Sequence, residues 1–171
     1  MLHQVEIKDG LLRKSQPVAS YVAGSVAVDK GVTFIGDYDG KFTCMDLKSG
    51  KELWFFQNKD NMQPFVASPA LSDKRVYAGS RDKYIYALNR KDGSMIWKKN
   101  MFAPVDASPV LVGDRLLIAS MRGDLSMLNV KDGSVEWTYE IGRAVASNPA
   151  VVNGHIIVGS DDGRVYCFGK K

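Results

Sequence analysis

Nothing in this 171-residue sequence approaches the roughly 18 consecutive apolar residues that a membrane-spanning helix needs. Its first residues, Met1-Leu2-His3-Gln4-Val5-Glu6, lack the basic and apolar regions of a signal peptide, which leaves the compartment open. Cysteine and histidine are scarce, with two of each. A disulfide demands close, specific Cβ geometry, and Cys44 and Cys167 are read instead as small buried hydrophobes. His3 lies near the terminus and His155 beside an apolar strand, and neither has a second ligand or a nucleophile at a recognisable spacing. There is no helix-period stretch and no glycine-rich phosphate loop leading into a helix. The net charge of +4 comes from Lys and Arg scattered among Asp and Glu, so nucleic acid is not an expected partner.

What is present is an ordinary globular composition, 45% hydrophobic and 25% charged, in a length suited to one domain. The chain is also built on a repeat. Segments Cys44–Trp54, Ala87–Trp97 and Met127–Trp137 superimpose without a gap, and their tryptophans lie 43 and 40 residues apart. A second signature precedes each at a constant offset and occurs four times, at Phe34–Gly40, Tyr77–Lys83, Leu117–Gly123 and Ile157–Gly163. A third opens the units at Ala67-Ser-Pro, Ala107-Ser-Pro and Ser147-Asn-Pro, with Gly24-Ser-Val as a looser first copy.

Each unit reads as four short strands separated by turn residues. Middle strands such as Leu116-Leu-Ile-Ala119 are nearly continuous apolar runs, so both of their faces must be covered. Four-stranded units of about 40 residues, each sandwiched between its neighbours, satisfy that need as a propeller. The expected architecture is therefore an all-β propeller of four four-stranded blades forming a single domain, residues 1–171. Blade 1 covers about 25–59, blade 2 about 67–100, blade 3 about 107–141, and blade 4 about 147–169 plus 3–14.

The pattern Ala-x-Asp-x-x-x-Gly-x-x-x-Trp, seen best at Cys44–Trp54 and Ala87–Trp97, resembles the tryptophan-docking motif of the pyrroloquinoline-quinone-like (PQQ-like) propeller repeats. The resemblance covers almost the whole chain. It implies that Trp54, Trp97 and Trp137 lie in the last strands of their blades and pack on the next blade, with Gly50, Gly93 and Gly133 permitting close approach. A large ring whose indole N–H seeks an acceptor suits such a bolt. Members of the family include quinoprotein alcohol dehydrogenases, an outer-membrane assembly lipoprotein and sensor domains, and they share a scaffold more than a chemistry.

The last unit stops before any docking motif, while Gln4–Lys14 aligns with that motif, Gly10 at the glycine position and Lys14 at the tryptophan position. An N-terminal strand is thus expected to complete the last blade and remove a free edge. Completing its own chain would close a four-bladed ring; completing a partner's would make a homodimer with an eight-bladed ring.

The catalytic constellation that the resemblance would bring, a calcium held by oxygen donors with an aspartate, a central tryptophan and often adjacent cysteines, is not found. Asp39, Asp82 and Asp162 fall in equivalent turns of different blades and read as turn formers. No catalytic, cofactor-binding or metal residue is assigned, no cofactor is expected, and the chain is read as a non-enzyme. The loops entering the innermost strands vary on a constant frame, which is where binding residues concentrate. From them, Tyr21, Met62, Gln63, Phe65, Met101, Phe102, Asp106 and Arg143 are the candidate contacts for a protein or peptide, in a scaffold or sensor role. A quinone-like or sugar-like ligand in the channel is the alternative.

Overall fold

A computed structural model describes residues 1–169 and is all-β, with 17 strands in five antiparallel sheets. Three sheets have four strands in sequence order. They are β3 (Ala27–Asp29), β4 (Val32–Gly36), β5 (Lys41–Asp46) and β6 (Glu52–Gln57) in blade 1; β7 (Ala70–Leu71), β8 (Arg75–Gly79), β9 (Tyr84–Asn89) and β10 (Met95–Asn100) in blade 2; and β11 (Val110–Val112), β12 (Arg115–Ala119), β13 (Asp124–Asn129) and β14 (Val135–Glu140) in blade 3. The fourth blade has three strands, β15 (Ala150–Val152), β16 (His155–Gly159) and β17 (Val165–Phe168). The remaining sheet is an N-terminal hairpin of β1 (Leu2–Val5) and β2 (Leu12–Gln16).

The apolar middle strands are sandwiched as their composition demands. Alternate residues point to opposite faces: Phe34, Phe42, Cys44 and Trp54 of blade 1 meet Val76, Ala78, Tyr86 and Leu88 of blade 2 in one buried cluster. On the other face of blade 2, Tyr77, Ile85, Ala87 and Trp97 meet Leu116, Ile118 and Leu128 of blade 3. Leu117, Leu125 and Met127 then meet Val158, with Ile156, Tyr166 and Phe168 of blade 4 packed alongside.

The tryptophans work as the motif implies at two junctions. The Trp54 indole N–H donates to the Arg90 carbonyl and that of Trp97 to the Val130 carbonyl, each at 3.0 Å. Gly93 and Gly133 have φ of 73°, in the left-handed region, and a Cβ on either would stand 2.5 Å from Trp54 Cε3 and 2.7 Å from Trp97 Cε3 respectively. Only glycine meets both demands. At the inner edge, the backbone N–H of Ser25 donates to Ser68 Oγ, that of Ser68 to Ser108 Oγ, and that of Ser108 to Asn148 Oδ1. This relay gives the blade-opening signature its physical reason.

Three expectations are corrected. The N-terminal segment does not complete the fourth blade of its own chain. It pairs with itself, and among the described residues no cluster or hydrogen bond joins blade 4 to it or to blade 1. It still docks where a fourth strand would: Lys14 pairs with Gln4 as Trp54 pairs with Cys44, and the Lys14 ammonium donates to the Lys48 carbonyl. Gln4 and Gln16 give the amide N–H that an indole supplies elsewhere, donating to the Leu47 carbonyl at 2.7 and 3.2 Å, and Gly50 makes room for Gln16 rather than for an indole. Trp137 is not buried as the others are: it is 37% exposed, against 8% for Trp54 and 9% for Trp97. By the repeat its acceptor would be residue 170, outside the described residues. Cys167 is exposed, unlike buried Cys44: among the described residues nothing covers the face of β17 that carries it.

A buried indole lost from a junction leaves a cavity and an orphaned carbonyl. Trp97→Ala should therefore cost about 3–5 kcal/mol, and Trp137→Ala about 1 kcal/mol or less, as for a surface change. Urea denaturation of the two variants checks the difference.

Candidate interaction surface

The loops entering the innermost strands and the turns between the second and third strands of each blade meet at one end of the sheets. Backbone bonds stitch them together. The N–H groups of Tyr38, Arg81, Met121 and Asp161, one per blade, donate to the carbonyls of Tyr21, Pro64, Pro104 and Ala144. Those of Phe65, Val105 and Val145 donate back to the preceding blade's turn, at Asp37, Ser80 and Ser120. The last three loops are thus held by two blades at once and the first by one, and the side chains they display stand on a tethered base.

The candidates divide on this base. Tyr21, Met62 and Phe102 are exposed, at 67%, 58% and 69%, and Gln63 and Arg143 are exposed as well. Phe65 and Met101 are withdrawn as contacts: both are buried in the inter-blade clusters, where Phe65 packs on Phe42, Phe56 and Tyr86. The loop apolar pattern could not separate them from their exposed neighbours, because each loop sends one large residue inward between blades. Asp106 is largely covered and accepts two hydrogen bonds from Arg81, at 2.8 and 3.1 Å.

Two residues at this end were missed, Tyr38 and Arg81. The Tyr38 ring meets Tyr21 edge-on with centroids 5.0 Å apart. Asp106 hydrogen-bonds the Arg81 guanidinium, and with Tyr38 nearby this holds the group charged above its ordinary range. The signal was available: both occupy the fifth position of the second signature, which reads Tyr38, Arg81, Met121 and Asp161 across the blades, while the position before it is Ser in three of the four and the position after it Asp in three of the four. A position that varies inside a largely repeated turn marks display, since the turn itself does not need that side chain.

Two of the three turn aspartates, Asp82 and Asp162, cap their turns, while in blade 1 Asp37 does so in place of Asp39. Asp82 is buried and accepts from the Tyr84 N–H, the Asn58 amide and the Tyr86 hydroxyl, and burial, then Asp82 itself, pushes the Tyr86 hydroxyl well up. Asp162 and Tyr166 repeat the pair in blade 4 at 2.6 Å, and that hydrogen bond lowers the Asp162 carboxyl below its usual range. Burial raises the Cys44 thiol to about 11, so it is inert. Among the described residues no three His, Cys, Asp or Glu side chains converge as metal ligands. The residues therefore do not fit a calcium-assisted quinone site, and Trp54 and Trp97 are occupied at the junctions.

Comparison with known proteins places this architecture. The family model for the outer membrane protein assembly factor BamB matches residues 81–171. The chain belongs to that family. BamB of Escherichia coli (strain K12) is 30% identical over 79 residues, 42% of this chain and 20% of BamB. The quinoprotein ethanol dehydrogenase of Pseudomonas aeruginosa is 28% identical over 78 residues, 42% of this chain and 12% of that enzyme. Among solved structures, BamB from Moraxella catarrhalis aligns over 94% of this chain and 53% of its own with a TM-score of 0.80 at 20% identity, and the computationally designed Ika4 protein over 91% and 95% with a TM-score of 0.80 at 14% identity. The chain spans about half the length of the BamB structure and a fifth or less of the curated relatives. These matches establish a PQQ-like repeat β-propeller; no helix of the described residues is long and apolar enough to cross a membrane.

Asp37 stands at this end where Ser80, Ser120 and Ser160 stand in the other blades, and burial raises its carboxyl despite the N–H groups of Asp39 and Lys41 on Oδ1. A folded-state pKa above the unfolded value, about 3.9, means the native state binds the extra proton and stability falls as pH rises through that window. Asp37→Asn keeps the acceptor and removes the charge. The variant should melt higher than the parent at pH 7, and the advantage should vanish toward pH 3.5, as thermal melts at both values would register.

Proposed function

We propose that the chain is a non-catalytic propeller that binds a segment of another protein, as scaffold or sensor, across the loop end of its blades. The observation that supports this reading is the row of exposed Tyr21, Tyr38, Arg81 and Phe102 at variable positions of a repeated frame whose loops are tethered by backbone bonds. Aromatic residues and arginine are the side chains enriched in protein interfaces. Holding Arg81 to Asp106 in advance reduces the ordering cost of engaging a carboxylate or carbonyl group on the partner. Kinship with an outer membrane protein assembly factor supports a partner that is itself a protein.

Peptides selected from a displayed library against the chain test the proposal. Arg81→Ala and Tyr38→Ala should each weaken the selected peptides by about tenfold or more, in the range of interface hot spots, with the melting temperature nearly unchanged. Peptides that ignore both substitutions and those at Tyr21 and Phe102 would sink it.

The quinoprotein relatives supply a second reading, a small quinone-like ligand. Its test is the melting temperature with pyrroloquinoline quinone and calcium in excess, since any ligand specific to the native state stabilises it. No rise is expected.

A further inference from the structure

The repeat is broken at one place between blades 2 and 3, where both neighbours are present. In blade 2 the third residue of β9 is Tyr86, whose ring lies 4.9 Å from that of Phe56 in blade 1, centroid to centroid, and whose hydroxyl donates to Asp82. In blade 4 Tyr166 and Asp162 repeat that pair. Blade 1 has Thr43 at the tyrosine position, and blade 3 has Ser126, with Arg122 where the aspartate stands. By the same register Lys99 replaces Phe56 and Asp124 replaces Tyr84. Three rings are thus missing together, and a recess of about 340 Å³ takes their place. Its floor is formed by Met101, Asp124 and Ser126, all buried, and its rim by Phe102, Arg122 and Glu140, all exposed. A cavity of about 150 Å³ accepts a benzene molecule, so this one has room for the side chain that the repeat omits.

The rim residue Phe102 has a backbone that aromatic residues seldom adopt. Its φ is 61°, in the left-handed region, and the equivalent residue of the next loop is Gly142, at 80°. The loop is held in this shape by the Phe102 N–H on Asn100 Oδ1 at 2.7 Å and the Met101 N–H on the Lys83 carbonyl at 2.8 Å. Glycine would relieve the strain, so what the strain secures is the exposed ring itself, and such outliers cluster where proteins bind. We infer that the recess is an anchor pocket for a tyrosine side chain of the partner segment, an inference that rests on the protein-binding function proposed above. The entering ring takes, from outside, the place that Tyr86 takes from within blade 2. The polar groups favour tyrosine over phenylalanine. Arg122 Nε stands 3.6 Å from Asp124 Oδ2, beyond hydrogen-bond length, so both groups keep capacity for a third. A phenol hydroxyl accepts as well as donates, and therefore suits a guanidinium with a carboxylate beside it. The hydroxyls of Ser126 and Thr138, 2.9 Å apart, satisfy each other and let a ring lie over them. Arg122 directly follows Met121, the blade 3 counterpart of Arg81, so a segment crossing the loop end reaches the pocket.

The probe is N-acetyltyrosinamide, titrated into isotope-labelled protein and followed by amide chemical shifts. Saturable shifts are expected at Phe102, Ser126 and Thr138, with Tyr38 and Arg81 unmoved. N-acetylphenylalaninamide should bind about tenfold more weakly, as for the loss of one hydrogen bond to a charged group. Arg122→Ala, an exposed change, should weaken the tyrosine probe to a similar degree. Ser126→Tyr restores the ring of the repeat and should abolish the shifts; it should also weaken library-selected peptides by about tenfold or more, as when an anchor loses its pocket. Absence of saturable shifts on the parent chain, or equal binding of the two probes, would overturn the inference without recourse to any variant. Selected peptides that need Arg81 and Tyr38 but bind Ser126→Tyr at full strength would overturn it too, and would leave the proposed function standing. If p-cresol binds as tightly as the probe while those peptides ignore Ser126→Tyr, the pocket serves a small phenol and the partner's tyrosine is excluded.

Discussion

Every blade in this protein has two apolar faces, and none can bury both by itself. That constraint organises the molecule. The junctions of blades 1 and 2 and of blades 2 and 3 are clamped twice, by an indole donating to a carbonyl at the outer strand and by a serine oxygen accepting a backbone N–H at the inner one, and Asn148 supplies the inner clamp between blades 3 and 4. Between the clamps lies a dry cluster such as that of Tyr77, Ile85, Leu116 and Ile118. The glycines at 93 and 133 follow from the same requirement, since the indole lies flat on a turn with no room for a Cβ.

The constraint also explains what differs at the ends. Trp54 and Trp97 are buried against the turns of the blades that follow them; Trp137, whose turn on blade 4 runs outside the described residues, stands a third exposed. Where the neighbour is a hairpin rather than a blade, two glutamine amides and a lysine ammonium occupy the docking turn in place of an indole. Gln4 and Lys14 there stay half-buried, whereas Gln16 is buried and leaves its Oε1 without a partner among the described residues, a cost that an indole with a single N–H avoids.

Function is separated from this frame. The loop end is tethered mainly by backbone bonds, helped by the hydroxyls of Ser80 and Ser160 on loop carbonyls, which leaves the displayed side chains free to vary without loss of fold. Buried Asp82 and Tyr86 consume their polarity within the blade, whereas Arg81, one residue away, turns its charge outward to Asp106 and solvent. Neighbouring positions in one turn thus divide between stability and display, and only the second kind can serve a partner.

The sequence alone determined the repeat, the four-strand unit, the docking role of Trp54 and Trp97 and the turn role of Asp82 and Asp162, because each depends on local spacing that recurs. It also placed Lys14 correctly at a tryptophan position. Tertiary structure alone decided which loop residues face out, since Phe65 and Phe102 are alike in type and differ only in whether a neighbouring blade covers them. It likewise decided that residues 2–16 form a hairpin of their own: which strand fills an edge is a contest between partners far apart in sequence, and no local pattern records its outcome.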